Sequence, residues 1–441
     1  MFAVSGLARN TALALSARII SMVLGVGISV ILARFLGPEG KGLYSLAILL
    51  PTLIVTFISL GIGPATIYHV ARKDFSSQVA FGNNLLLALV LGAVGVVGGV
   101  LVSLLFGEEA FPGVPPTYLL VTLCLVPLQL VNSYLLYVLH GEQRFGRHAI
   151  LTTSRSLLFL VFAVIGLVLL HRGVLSAILA VVASYIAVCI VQILQQWRTA
   201  GIISLKPSRT YISAAFKYGW KAHLATIITF LNYRLDMLLV NAYVGIAAVG
   251  LYSVGVGLVE KLWLIPNAAS TALYPRISAE QDENRRKSLT PFVARSTLWL
   301  TALGATVLVL LCRPIVLLLY SSAYIKAVGA AQALLVGIVA IAGLKPLAND
   351  LSGRGKPILN SLVGLVTLIT NLVLNLLMIP RAGIAGAAWA STISYSVSLV
   401  LTVFIYCRVS GNAWHDVILP KRSDVRVYAN VVQGFLKNLR R

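Results

Sequence analysis

About twelve apolar runs, each of roughly twenty or more residues, divide this chain, and nothing else in the sequence narrows its possible folds as far. A helix of that length crosses the hydrocarbon core of a bilayer while satisfying its own backbone donors and acceptors, which lipid cannot do for it. The runs lie near 10–34, 42–66, 79–106, 117–139, 149–170, 174–196, 219–244, 249–274, 292–320, 327–348, 357–379 and 384–407. Arg313 and Pro314 interrupt the ninth, which leaves the segment to Ala323 open to reading as a separate short helix. Composition agrees. With 59% hydrophobic and 11% charged residues, a chain of 441 has too little polar surface to cover a water-soluble globule. The run after Arg9 reads as a first spanning helix rather than a cleaved signal, because Arg18 breaks it and no small-residue cleavage site follows.

The runs belong to a repeated unit. Shifting residues 28–66 forward by about 208 positions aligns Gly37, Gly42, Leu43, Tyr44 and Ser45 with Gly245, Gly250, Leu251, Tyr252 and Ser253. A shift of about 210 aligns Gly173, Ala177, Ser184 and Tyr185 with Gly383, Ala387, Ser394 and Tyr395. Six spans per repeat is an even number, so the two repeats are expected to run parallel across the membrane. The expected organisation is an amino-terminal lobe over 1–196, a cytoplasmic linker over 197–218, a carboxyl-terminal lobe over 219–408 and a basic tail over 409–441.

The formal net charge of +22 is distributed as loop charge, with no basic soluble domain that would make a nucleic-acid face. With the amino terminus inside, the cytoplasmic set is Arg9, Arg18, Arg72, Lys73, Arg144, Arg147, Arg155, Arg198, Lys206, Arg209, Lys217, Lys221, Arg276, Arg285, Arg286, Lys287, Arg295, Lys345, Arg354, Lys356 and the seven basic residues from Arg408 to Arg441. Only Arg34, Lys41, Arg172, Arg313, Lys326 and Arg381 fall outside, so both termini are expected in the cytoplasm. In the tail, Tyr428, Val431, Val432, Phe435, Leu436 and Leu439 recur at helical spacing beside Lys437, Arg440 and Arg441, the pattern of a helix lying on the inner leaflet or of a solvated tail. Cys124, Cys189, Cys312 and Cys407 stand singly, without CxxC spacing, and imply neither a disulfide framework nor a metal site. No cofactor motif is present.

Charges within spans carry the chemistry that remains. An Arg, Lys or Asp at a helix centre costs about 2.5–3.5 kcal/mol on insertion scales, so each needs a partner, a wet cavity or a route to the headgroups. In the first half Arg18 lies about two turns into the first span and Arg155 lies in the fifth, with no acid in that half at matching depth. Around Arg18, Thr11, Ala14, Ser21, Gly25 and Ser29 make one small, polar face. These two arginines either snorkel to the headgroups or face a cavity, where an uncompensated guanidinium favours an anionic guest such as a phosphate. The second half differs. Arg234 and Asp236 lie in the seventh span, with Glu260 and Lys261 in the antiparallel eighth, and pairs such as Arg234 with Glu260 or Asp236 with Lys261 are open. The quartet fixes helix packing, binds a ligand or couples transport to an ion. Pro51, Pro64, Pro127 and Pro266 interrupt spans and are candidates for bends.

Three segments carry a family resemblance over essentially the whole chain: SVILARFLGPEGKGLYSLAILLP, YRLDMLLVNAYVGIAAVGLYSVGVGLVEKLWLIPNAASTALYPRIS and NLVLNLLMIPRAGIAGAAWASTISY. Together they resemble the polysaccharide-transporter branch of the multidrug/oligosaccharidyl-lipid/polysaccharide flippase superfamily. The resemblance implies an all-α membrane protein with two pseudo-symmetric six-helix lobes around a central cavity, working by alternating access. The implied cargo is a polyprenyl-diphosphate-linked oligosaccharide moved from the inner to the outer leaflet of the cytoplasmic membrane, with cavity cations receiving the diphosphate. It further implies membrane lipids and polysaccharide-assembly enzymes as partners. Ala17-Arg18 matches a Ser-Arg element of the related peptidoglycan-precursor flippases, but Gly25 and Gly27 stand near where those carry a second arginine. A cation-coupled multidrug antiporter of the same superfamily is the main alternative. A membrane glycosyltransferase or ligase is the next, with Glu108, Glu109 and His171 as isolated candidates on short loops.

Overall fold

The computed structural model describes residues 2–200, 205–280, 282–422 and 424, which are helical almost throughout and contain no strand. In chain order the α-helices are α1 (Phe2–Ile58), α2 (Ile62–Ala71), α3 (Ser77–Leu105), α4 (Gly107–Ala110), α5 (Pro116–Thr122), α6 (Leu125–Gly141), α7 (Phe145–Ala163), α8 (Val174–Ala200), α9 (Arg209–Val244), α10 (Ile246–Val259), α11 (Leu264–Ala279), α12 (Glu283–Ile315), α13 (Ala327–Gly353), α14 (Pro357–Ser410) and α15 (Trp414–Ile418). Among the described residues, nine helical stretches are long and apolar enough to cross a membrane. The chain is an all-α, multi-pass membrane protein.

Two of the longest helices contain a break. Gly37 interrupts α1 with φ 66° and ψ −179°, and Gly383 interrupts α14 with φ 56° and ψ −134°. A side chain is strained at such φ values, and a glycine is not. The remaining long helix, α9, has 36 residues but carries the charges of its first turns together with Arg234 and Asp236.

The repeat seen in the sequence is present in the backbone. Gly245, about 208 residues after Gly37, ends α9 with φ 103° and ψ 177°, so both copies turn through the same conformation. Gly113 and Ser321, separated by the same interval, also share positive φ, at 75° and 92°. Helices α2, α6 and α13 end in one Schellman motif, with Lys73, Gln143 and Gly355 as the left-handed residue. In each, the next amide bonds back five residues: Asp74 to His69, Arg144 to Leu139 and Lys356 to Leu351.

The prolines do something other than bend spans. The second expected span stops at Ile58, where Leu60 and Gly61 take positive φ and α2 begins with Pro64 as its third residue. Pro127 is likewise third in α6, and Pro266 third in α11 after a 3-10 turn at Glu260–Trp263. First-turn amides have no partner within their helix, so a missing N–H costs nothing there. These prolines start helices, and only Pro51 of the four lies well inside one. Pro314 lies near the end of α12, which passes into a π-turn over Val316–Tyr320, so the ninth expected span is one helix to that point. Within the expected linker 197–218, α8 runs to Ala200 and α9 begins at Arg209, with Tyr211 fully buried.

Two compact units emerge. The first comprises Met1–Val254 with Val316–Ala327 and Ile379–Ile384. Its helices pack as lipid-embedded helices do, small residues inward. On α3, Gly92, Gly95, Gly99 and Ser103 are buried, while Val90, Val94, Val97 and Leu101 face outward. Gly92 abuts Pro127 and Gly95 abuts Val126 of α6, so the backbones approach closely. A buried polar knot joins α2, α3 and α9: the Tyr211 hydroxyl donates to Asn84 Oδ1 at 2.9 Å and lies 2.9 Å from the Thr66 hydroxyl.

The second unit comprises Gly255–Ile315, Val328–Met378 and Ala385–Arg441. There the Asp350 carboxylate is fully buried and accepts from Thr290 and Arg354, and Arg354 also reaches Glu283 at 2.6 Å. Arg295, expected among the cytoplasmic charges, is buried in α12 and pairs with Asp424 of the tail. The amphipathic pattern from Tyr428 to Leu439 lies outside the described residues.

Candidate functional site

In the first unit, the two arginines of the amino-terminal half lie on helices that touch. Arg18 belongs to the first arm of α1 and is exposed, and Arg155 belongs to α7 and is half-buried. The hydroxyls of Ser21, one turn from Arg18, and Thr153, two residues from Arg155, are 3.2 Å apart and join the two helices. The Arg155 guanidinium lies 4.7 Å from the centre of the Tyr185 ring. That contact stabilises the cation without neutralising it. Among the described residues, neither arginine pairs with a carboxylate.

Asp236 of α9 is only 4% exposed, and two neutral groups donate to it. The Tyr252 hydroxyl donates to its Oδ2 at 2.5 Å, and the Met237 amide donates to Oδ1 at 2.8 Å. Arg234, two residues earlier, is half-buried on the same helix. Tyr252 was not among the residues singled out by charge. Its signal in the sequence is its alignment with Tyr44 in the first repeat.

The same unit gathers turns from both repeats into one packed cluster. A methyl group on Gly42 would lie 2.0 Å from the carbonyl oxygen of Ile246, and one on Gly250 would lie 1.8 Å from that of Pro38. With the repeat interval of about 208, Pro38 corresponds to Ile246 and Gly42 to Gly250, so the contact is reciprocal, as in a two-fold interface. The Asn241 amide donates to Pro112 O at 3.1 Å, while the Tyr324 hydroxyl donates to Ala33 O at 3.0 Å. Ala33 corresponds to Asn241, and Pro112 to Tyr320, one turn before Tyr324. Arg34, expected as an outer loop charge, caps the π-turn by donating to Leu319 O at 2.7 Å and to Leu318 O.

In the second unit, Glu260 and Lys261 occupy the 3-10 turn between α10 and α11 and are half-buried. Close by is Lys345, counted among the cytoplasmic charges. Lys345 lies inside α13, about two turns before its end. Its ammonium stands 5.0 Å from the Trp263 ring centre and donates to Asn267 Oδ1 at 2.7 Å. Among the described residues, no group of three or more His, Cys, Asp and Glu side chains is arranged to hold a metal ion. The four cysteines are free thiols.

Comparison with known proteins follows this geometry. The model of a family described as polysaccharide biosynthesis protein matches residues 31–329. A putative O-antigen transporter of Shigella flexneri is 24% identical over 407 residues, covering 86% of this chain and 92% of that one. The solved structure of the lipid II flippase MurJ in an inward closed conformation matches with a TM-score of 0.75 at 14% identity, over 96% of this chain and 99% of its own. An inward-facing multidrug resistance MATE family transporter of the MOP superfamily matches with a TM-score of 0.74 at 15% identity, over 91% and 98%. At such identities the two structures establish a shared transporter fold and nothing about cargo.

Proposed function

This chain belongs to the polysaccharide biosynthesis protein family, and on that premise we propose that it is a flippase for a polyprenyl-diphosphate-linked oligosaccharide. The observation that carries the proposal is the pair of guanidiniums on α1 and α7, Arg18 and Arg155, which pair with no carboxylate among the described residues. A diphosphate bearing a hydrophilic glycan cannot enter hydrocarbon, whereas its isoprenoid tail is at home there. Arginine engages phosphate oxygens through two parallel hydrogen bonds, and the attraction strengthens as water is excluded. Arg234 and Lys261 extend the cationic set, and Asp236 and Glu260 are the candidates for ion coupling or for structural pairing. The relative from Shigella flexneri supports the cargo class by its name, O-antigen transporter.

In this reading the chain crosses the membrane twelve times, since Gly37 and Gly383 each divide a long helix in two and α9 adds a polar crossing. It forms six-helix lobes over 1–196 and 219–408, lies in the cytoplasmic membrane with both termini inside, and exposes its site alternately to the two faces. It transports without chemical change to the cargo, with polysaccharide-assembly enzymes supplying and consuming it. The runner-up is a cation-coupled multidrug antiporter, which the shared fold accommodates.

Reconstitution into liposomes with a defined polyprenyl-diphosphate glycan tests the reading. The lipid should change leaflets with its mass unaltered. A gain or loss of sugar refutes transport, and movement of a lipid-free organic cation in its place selects the antiporter.

A further inference from the structure

Apart from the arginines of α1 and α7, the first unit contains a cleft of about 350 Å³, mouth included, between the ends of four helices. Its walls are apolar on one side, formed by Phe81 of α3, Leu135 and Leu139 of α6 and Leu151 of α7. The polar side holds Arg147, on the first turn of α7, and Gln192, Gln195 and Gln196, near the end of α8. Arg147 and Gln192 ask for different things. Arg147 is exposed and pairs with no carboxylate among the described residues, and it sits where the positive end of the α7 dipole adds to its field. Gln192 is only 4% exposed, and its amide nitrogen donates to Asn132 Oδ1 at 3.1 Å. Its other amide atom, Oε1, is buried without any hydrogen-bond partner.

Buried polar atoms are nearly always satisfied, so an orphan acceptor lining a cleft marks the place of a donor that arrives from outside. The guanidinium beside it calls for an anion, and the aliphatic wall disfavours a fully hydrated ion. We propose that this cleft binds a phosphate ester whose neighbouring hydroxyl or ammonium donates to Gln192, with Arg147 on the phosphate. The site is separate from the cargo site assigned above and stands whether or not that assignment holds. Two sources supply this chemistry: the headgroup of an anionic phospholipid, and a soluble phosphate ester.

The test is thermal unfolding of the full chain in an uncharged detergent, titrated with dihexanoyl phosphatidylglycerol, glycerol 3-phosphate or dihexanoyl phosphatidylcholine. The midpoint should rise saturably with phosphatidylglycerol and not with phosphatidylcholine, whose headgroup has no donor. Arg147→Gln and Gln192→Leu should each weaken the apparent affinity by roughly tenfold or more, the loss of one charged or buried hydrogen bond. Without ligand, Gln192→Leu removes one unsatisfied acceptor and leaves Asn132 Oδ1 without its donor, so the ligand-induced rise is read from that variant's own midpoint. Equal affinity for glycerol 3-phosphate assigns the site to soluble esters, and a response to phosphatidylglycerol alone assigns it to lipid. The proposal falls if phosphatidylcholine acts as well as phosphatidylglycerol, if both variants keep the parent affinity, or if no probe gives a saturable shift. Arg147→Gln changes an exposed side chain, so the test does not hang on how the buried variant folds.

Discussion

The Tyr252 hydroxyl donates to the Asp236 carboxylate at 2.5 Å, and the acid so held is 4% exposed. A hydrogen bond to a charged group contributes about 1.5–3 kcal/mol. Tyr252→Phe should therefore lower stability by that amount, measured as the thermal midpoint in detergent. The repeat supplies a control. Tyr44 stacks on Phe159, with ring centres 6.4 Å apart, and its hydroxyl has no hydrogen-bond partner among the described residues. Tyr44→Phe should change stability by less than about 0.5 kcal/mol. Equal losses at the two positions would show that the Asp236 contact contributes nothing particular.

The reciprocal turn contact makes its own prediction. Gly42→Ala and Gly250→Ala each place a methyl group against a backbone carbonyl that has nowhere to move, so each should cost about 1–3 kcal/mol or more. Faster amide exchange should follow over 38–42 and 246–250 in both variants, whichever glycine is changed. Gly98 of α3 has nothing within 4 Å of the added methyl, and Gly98→Ala should stabilise the helix by up to about 1 kcal/mol. Exchange confined to the mutated side would mean that the two turns do not depend on each other.

At the tail, Arg295 donates to both Asp424 oxygens, at 2.6 and 2.5 Å, and the pair is almost fully buried. That guanidinium holds the Asp424 carboxyl below the usual carboxylate range. For a depressed folded value, the stabilisation is complete above the unfolded value of about 3.9 and is lost as pH falls through the folded one. Acid proteolysis of the segment around 419–424 should thus accelerate on acidification below about pH 4. Asp424→Asn should cost about 3–5 kcal/mol of docking, accelerate cleavage already at neutral pH, and remove the acid dependence. Cleavage of the parent that is flat down to pH 2 would contradict the pairing.

How much of this was legible in the sequence depended on the kind of signal. The repeat was legible because Gly37 and Gly245 are required by the same backbone turn, and such a requirement leaves the same residue twice. Arg18 and Arg155 stood out because charge within an apolar run is costly wherever it lies. Asp236 was legible but its partner was not, since a tyrosine hydroxyl carries no charge to match and aromatic residues are common in such helices. Arg295 and Asp424 are separated by 129 residues, and no periodicity links them. Lys345 lies within the expected run 327–348, but its contacts with Trp263 and Asn267, about eighty residues away, follow no periodicity. Pro64, Pro127 and Pro266 looked like interruptions, and they are, but each marks where the next helix begins.

The central claim is that unneutralised arginine on α1 receives the diphosphate of a lipid-linked glycan. The direct measurement is the rate of transbilayer movement of a polyprenyl-diphosphate glycan in proteoliposomes, comparing the parent chain with Arg18→Ala at equal reconstituted amounts and equal thermal midpoints. Loss of one charge-assisted contact worth about 1.5–3 kcal/mol predicts a rate lower by roughly ten- to a hundredfold. Unchanged movement in Arg18→Ala would contradict the account.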